Sequence, residues 1–397
     1  MPRRNQPSKI QGPLNDAVAL QYQQWTYPEK IEDLPGWLVS NWQWFDPVHA
    51  HRVLWPNRDY VPGLDILVAG CGTNQAAVFA YTNPSARVVA IDVSEPSLSH
   101  HHCLKERYGL RNLEISCLPV ESAGELGLEF DLIVSTGVLH HLADPDLGLK
   151  VLAGCLKHDG VVAIMLYARY GRYGVEMLQS IFRDLEFRQD ETSLSIVKEA
   201  LAQLPVEHPL RSYLALAPDL CFDAGLVDTF LHGRDRSYSV DDCLRLVEAS
   251  GLVFQDWFLK QLYYPPSPAQ GGFYQAIEAL PLQRQWSIME RLNTSNACHF
   301  FMACRPDRSP QSYQIDFNSS AAIDYVPVFR YRCGVENGML NRPGQQIQPT
   351  TGQLAQLQLI DGRRTIGDIV AMNHALPEPA VTYFASLWQS DYLSMRL

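Results

Sequence analysis

Between residues 64 and 167 five short apolar runs alternate with helix-length pieces, and this rhythm restricts the fold more than any other feature of the chain. LDILVAG reads as a first strand, VVAIDV as a second, LEISCLP as a third, FDLIVST as a fourth and GVVAIMLY as a fifth. Continuous aliphatic runs of this length suit strands covered on both faces. Helices are expected at 73–81, at 95–108 with Gly109 as the stop, and at 145–157. Strand, helix, strand at this spacing requires parallel pairing with right-handed crossovers. The rhythm breaks over about 168–236, a charged and irregularly helical stretch. It resumes at SYSVDDCLRLVEASGL, where Ser239 is an N-cap, Asp242 stands three residues on and Gly251 stops the helix. LVFQDWFL and CHFFMACRP add two strands, separated by a smaller insertion at about 263–297. The expected fold is α/β: a seven-stranded, doubly wound, Rossmann-like sheet with an inserted helical region.

Two flanking regions complete the layout. Residues 1–59 carry Trp25, Trp37, Trp42, Trp44 and Trp55, which cannot all be surface residues, so short helices are expected, either as a lid over the cofactor or packed simply on the core at 60–306. After the linker RPDRSPQS, residues 312–397 hold the strand-like VPVFRYR, then TTGQLAQLQLIDGRRTIGDIVAM as helix, DG turn and helix, then the helical EPAVTYFASLW. This resembles a small winged-helix domain. Peptide recognition, dimerisation and simple packing are all compatible with it.

Bulk properties exclude several classes. A net charge of −11 disfavours a general nucleic-acid surface. The basic start MPRRNQPSKIQG lacks the apolar stretch of a secretory signal, and no apolar run reaches membrane-spanning length. Nine cysteines without a CxxC pair fit a reducing cytoplasm better than a disulfide framework. His100 and Cys103 share a helical face, but no partner cluster completes four ligands, so no metal is expected. A homodimer is compatible with the sequence.

The first strand ends in GCGTNQ. A strand-to-helix turn at a sheet's carboxyl edge exposes N–H groups that favour an anion. A nicotinamide dinucleotide would want a third glycine at position 75, where the chain has Gln75. S-adenosylmethionine presents only a carboxylate to such a turn, and Asp92, ending the second strand, can accept from both its ribose hydroxyls. The spacing of Asp92 suits either cofactor.

The stretch FDLIVSTGVLHHLADPDLGLKVLAGCLKHDGVVAIMLYA closely resembles the class I S-adenosylmethionine-dependent methyltransferases. With YQQWTYP, LYARYGRYGVEMLQ and LHGRDRSYSVDDCLRLVEASGL, the chain is similar to a bacterial branch often joined to tetratricopeptide repeats, though no such repeat is present here. The resemblance implies that Ala69, Gly70, Cys71, Gly72, Thr73 and Gln75 hold the methionyl part. It places Asp92 and Val93 at the ribose, Val120 and Glu121 beside the adenine, and Ser135, Thr136 and Gly137 between cofactor and substrate. The chain departs from the family at Val68, where an acid is frequent, and at Asn74, where a third glycine is frequent. Asn74 is expected to take up the unusual backbone angle.

Methyl transfer needs alignment and water exclusion more than a nucleophilic protein residue. His140 and His141 follow the fourth strand, and either could act as a base; LHHL could equally pack and cap the loop. Tyr170 is a third catalytic candidate. Tyr167, Arg169, Arg172 and Tyr173 leave the fifth strand at the ligand edge and would suit an anionic or aromatic substrate, the alternative being an ordinary helix start with solvated arginines. Among Arg234, Asp235 and Arg236 in HGRDRSY, an arginine–aspartate pair reads as a structural ion pair bracing the insert rather than a catalytic group. The expected activity is methylation of an unidentified acceptor, either a peptide or protein side chain or a small metabolite. The alternatives are a nicotinamide-dependent oxidoreductase and a non-catalytic cofactor-binding module.

Overall fold

A computed structural model describes residues 17–267, 269 and 271–397. The part of the expected lid before residue 17 lies outside them. All seven expected strands form one sheet: β1 (Asp65–Ala69), β2 (Arg87–Asp92), β3 (Leu113–Cys117), β4 (Phe130–Thr136), β5 (Leu156–Tyr167), β6 (Val253–Trp257) and β7 (Cys298–Cys304). Their order is β3-β2-β1-β4-β5-β7-β6. The pairs among β1–β5 are parallel, and β7 runs antiparallel to both its neighbours. The chain moves outward from β1 to β3, then crosses back to β4. That reversal opens a crevice at the carboxyl ends of β1 and β4.

The aliphatic runs explain the sheet's interior. Val68 pairs with Ala90 on one side and Val134 on the other, and none of the three has measurable exposure. One face of the sheet is covered by the helices Leu34–Ser40, Pro47–Leu54, Gln75–Thr82 and Glu95–Tyr108, through Leu34, Leu54, Phe79 and Leu104. The other is covered by Pro145–Gly154 and Val240–Ala249, through Leu149, Leu152 and Leu246. Ser239 and Asp242 form the expected capping box. The helix expected over 145–157 ends at Gly154, and β5 starts at Leu156, before the expected GVVAIMLY. Leu156 pairs with Phe130, while the Lys157 ammonium bridges Asp65 at 2.6 Å and Asp131 at 2.8 Å. Those contacts hold the segment extended.

The insert after β5 folds as helices Tyr173–Asp184, Glu191–Gln203, Leu210–Leu214 and Asp223–Phe230 around a small core of its own, which includes Val175, Phe182, Val197 and Phe230. The tail holds a β8–β12 pair (Val326–Phe329 with Leu393–Arg396) and a meander of β9 (Gly334–Glu336), β10 (Met339–Arg342) and β11 (Gln345–Ile347). Its helices are Thr351–Leu357, Ile366–Met372 and Pro377–Gln389, with Gly362 at φ +73° in the DG turn. The tail shares the core beneath β6 and β7: Trp388 meets Tyr264 at 5.9 Å, and the Asp391 carboxylate accepts the backbone N–H of Lys260 at 2.8 Å. No helix among the described residues is long and apolar enough to cross a membrane.

Candidate functional site

The glycine turn follows β1 directly. Gly70 and Gly72 adopt φ of +74° and +53°, where a side chain is strained. Space is also short: a Cβ on Gly70 would lie 2.3 Å from Val138 Cγ2, and one on Gly72 would lie 2.9 Å from Pro28 Cδ. Asp92, at the end of β2, accepts the Gly72 N–H at 2.8 Å and the Ser94 N–H at 2.9 Å. Burial raises the pKa of Asp92 above the ordinary carboxylate value, although these N–H donors and that of Val93 oppose the shift.

The polar residues of the turn hold a strap, residues 22–31. Thr73 Oγ1 donates to the Pro28 carbonyl at 2.8 Å. Asn74 donates to the Glu29 carbonyl at 2.7 Å and accepts the Ile31 N–H at 2.8 Å. Asn74 has φ −134°, so the unusual backbone angle expected of it is absent, and its amide serves as a latch instead. Ser94 Oγ donates to the Tyr22 carbonyl, and the His100 ring, once weighed as a ligand, meets the Ile31 carbonyl at 3.2 Å. From the strap, Tyr22 OH donates to Asp228 at 2.7 Å and Tyr27 OH to Asp219 at 2.8 Å. Trp25 Nε1 reaches the Gln189 carbonyl at 3.2 Å. The strap therefore spans from the sheet edge to the insert.

Beneath it lies a cavity of about 400 Å³. One half is lined by Gly70, Cys71, Gly72, Gln75, Asp92, Val93, Val120, Glu121, Thr136 and Gly137, all expected from the sequence. Three expected members are not in the wall. Ala69 is packed in the core, Thr73 is turned to the strap, and Ser135 is fully buried in β4. The other half is lined by Tyr22, Tyr27, His141, Tyr167, Tyr213, Asp219 and Cys298, among others. Among the described lining residues there is no lysine or arginine.

That absence corrects the expectation built on LYARYGRYG. After β5 the chain is drawn sideways: Ala168 N–H donates to the Ala297 carbonyl and Arg169 N–H to that of Tyr238, both under 3 Å. Gly171 sits so close to Asn296 that a Cβ would lie 1.9 Å from its carbonyl oxygen. Arg169 therefore points outward to Asp242 at 2.9 Å, and Tyr173 is 60 % exposed. Tyr170 is half-buried and does not line the cavity. Arg172 is fully buried behind the wall. Its guanidinium stacks 3.6 Å from the Tyr167 ring centre, pairs with Asp235 at 2.9 Å and donates to Tyr213 OH at 2.7 Å. Asp235 thus serves Arg172, a partner from outside HGRDRSY. Of the expected substrate residues, only Tyr167 faces the cavity.

The two histidines after β4 separate. His140 is fully buried away from the cavity, neither ring nitrogen has a hydrogen-bond partner, and burial holds its pKa well below 6.5. It is not placed to accept a substrate proton. His141 lines the cavity. Its Nδ1 lies 2.8 Å from the Arg234 carbonyl, and its ring stacks on His232 with centroids 3.8 Å apart. His232 Nδ1 accepts the Arg234 N–H at 3.0 Å. Single ligand atoms of His141, His232 and Asp228 fall within 4.8 Å of one another, as do those of His140, His141 and Asp235. Asp228 and His232 escaped the sequence reading; the signal was an acid and an imidazole in the otherwise apolar GLVDTFLH.

Residues 67–162 match the family model described as a methyltransferase domain. An uncharacterised protein of Synechococcus sp. is 32 % identical over 255 residues, covering 61 % of this chain and 59 % of that protein. A tRNA U34 carboxymethyltransferase of Desulfotalea psychrophila is 34 % identical over 73 residues, covering 18 % of this chain and 23 % of that one. The chain thus spans less than two thirds of either relative. Among solved structures, PKMT2 from Rickettsia typhi in complex with AdoHcy superposes with a TM-score of 0.62 at 15 % identity, covering 89 % of this chain and 75 % of that one. A second structure of PKMT2 from Rickettsia typhi superposes with a TM-score of 0.65 at 14 % identity, covering 93 % of this chain and 77 % of that one. Those likenesses concern the fold. Together with the strand order, they establish a Rossmann-like fold of the class I type, within which residues 67–162 match a methyltransferase domain.

Proposed function

We propose that the protein is an S-adenosylmethionine-dependent methyltransferase whose acceptor is a slender cationic amine. The observation that carries this reading is the chemistry of the cavity wall. In the half not assigned to the cofactor, Asp219 lines it beside four tyrosines, and no lysine or arginine among the described residues faces the cavity. Aromatic faces with carboxylates form a site for cations. The turn fits the cofactor: Gly70 and Gly72 leave a cradle without side chains, and Asp92 stands beside it. Gln75 lines the cavity where a dinucleotide fingerprint has its third glycine, and its side-chain amide donates to Thr136 Oγ1, which disfavours a nicotinamide cofactor.

When bound, the cofactor supplies an electrophilic sulfonium methyl; the chain's own residues align the acceptor and manage its proton. Gly70, Gly72 and Asp92 hold the nucleoside and methionyl ends. Tyr27 and Asp219 hold the ammonium of the acceptor, the hydroxyl donating to the carboxylate at 2.8 Å and so fixing it. His141 takes the proton that an ammonium must lose before it can attack. The strap and the insert exclude water. No residue of 312–397 lines the cavity, so presentation of a protein acceptor by the tail finds no support in the wall.

The test uses the full chain with labelled S-adenosylmethionine and three acceptor sets: free alkyl amines, lysine-bearing peptides, and phenols or carboxylic acids of similar size. Label on either amine set is expected, and the two amine arms separate a free from a peptide-borne acceptor. Label only on phenols or carboxylates would overturn the amine reading. Thermal stabilisation by NAD and not by S-adenosylhomocysteine would overturn the cofactor assignment. Cofactor binding without turnover on any set would leave a binding module.

A further inference from the structure

We propose that the backbone of Arg234 holds His141 and His232 in opposite tautomers, making His141 Nε2 the proton acceptor of the site and His232 its positioning residue. The base role rests on the methyl-transfer reading; the tautomer assignment does not.

The argument follows from what each backbone group can do. A carbonyl only accepts, so the contact of 2.8 Å between His141 Nδ1 and the Arg234 carbonyl requires a proton on Nδ1. A backbone N–H only donates, so the 3.0 Å contact from Arg234 N to His232 Nδ1 requires a bare Nδ1 there. A neutral imidazole carries one proton. His141 therefore presents a lone pair at Nε2, and His232 presents an N–H at Nε2. Both Nε2 atoms are buried and neither has a hydrogen-bond partner in the protein. The rings stack at 3.8 Å with an interplanar angle of 20°. Burial and the neighbouring His141 hold the pKa of His232 well below 6.5, so it stays neutral.

The groups facing His141 carry both signs: the Arg234 guanidinium donates to the His141 carbonyl at 3.3 Å. Asp235 Oδ1 lies 3.9 Å from Nδ1, and Asp228 approaches from the insert, held by the Tyr22 and Tyr167 hydroxyls. His140 lies at 4.1 Å on the strand side and is neutral, and the charge of Arg172 is matched by Asp235. In the transfer, an ammonium R–NH3⁺ gives one proton to His141 Nε2. The resulting amine lone pair forms the N–CH3 bond as the S–CH3 bond breaks with its electrons to sulfur, giving R–NH2⁺–CH3 and a neutral thioether. His141 then returns its proton to solvent. The same assignment argues against a metal held by His141, His232 and Asp228: with its Nδ1 lone pair occupied, a neutral His232 has no second lone pair to offer.

Two measurements on the full-length chain test this. The first is long-range proton–nitrogen correlation on protein labelled with nitrogen-15 histidine. His141→Gln should remove an Nδ1–H signal set and His232→Gln an Nε2–H set. The same tautomer for both, or a stoichiometric metal whose chelation changes these signals, would overturn the proposal. The second is the pH profile of turnover. His141→Gln should lose roughly 10²–10⁴-fold in kcat. His232→Gln should displace the acidic limb of the profile and lower kcat with cofactor Kd unchanged by calorimetry. A profile of unchanged shape would reduce His232 to packing and overturn its positioning role. Tautomers as assigned in a protein that methylates nothing would overturn the reaction, and with it the base role, while leaving the tautomer assignment in place.

Discussion

The carboxylate of Asp92 accepts the backbone N–H of Gly72 at 2.8 Å and so ties the end of β2 to the turn after β1. One side chain shapes the turn and also faces the cavity. Asp92→Asn keeps the volume and weakens both functions. Affinity for S-adenosylhomocysteine should fall by about 1–3 kcal/mol, the cost of leaving polar groups unpaired. Calorimetry checks this, and unaltered affinity would count against the ribose assignment.

Arg172 is the residue whose role changes most between sequence and structure. It is a buried strut joining Tyr167, Tyr213 and Asp235. Arg172→Met leaves Asp235 buried without its cation, and unfolding in urea should show a loss of about 3–5 kcal/mol. Removing Asp235 as well should recover part of that loss. A substrate-binding arginine would instead change the acceptor KM and spare stability.

Asp219 lines the cavity, and in the proposed function it reads the acceptor's charge. Asp219→Asn should raise KM for cationic acceptors about tenfold or more, with Kd for the cofactor unchanged. Tyr27→Phe, which removes the hydroxyl fixing that carboxylate, should act in the same direction more weakly. Equal loss of cofactor binding in both variants would move the pair to the other half of the cavity.

Asp46 gives a pH-dependent contribution to stability. It caps the helix Pro47–Leu54, accepts from Thr82 and Asn83, and is 1 % exposed. Burial nevertheless lifts its pKa from 3.8 to about 6, against those hydrogen bonds. Between these values the folded state binds the proton that the unfolded chain has released. The stabilisation is therefore complete below about pH 4 and is lost as pH rises through 6. Relative to Asp46→Asn, the parent should lose about 2–3 kcal/mol between pH 4 and pH 7. A difference in denaturation midpoints that does not vary with pH would refute this.

The sheet was legible because its strands are uninterrupted aliphatic runs, and the turn because Gly70 and Gly72 stand where no other residue fits. The half of the cavity walled by the insert was not. Arg169 and Arg172 follow β5 in sequence, but their directions are set by Tyr238, Asn296 and Ala297, which lie more than sixty residues away. Tyr213 and Asp219, which complete the wall, and Asp228 and His232, which stand near His141, come from an insert whose helices carry their own apolar core, so their periodicity reports that core. Asn74 misled for a local reason: the residue type permits a left-handed backbone, but here its amide bonds the strap.

Tyr22 and Tyr27 belong to the stretch of chain that roofs the glycine turn, and both also wall the acceptor's half of the cavity. One cover thus serves two compartments, and the inner one cannot be refilled while the outer is intact. For the proposed methyl transfer this implies a compulsory sequence of arrivals: the methyl donor enters first and its spent form departs last. Product-inhibition kinetics should accordingly show S-adenosylhomocysteine competing with the donor and not with the amine.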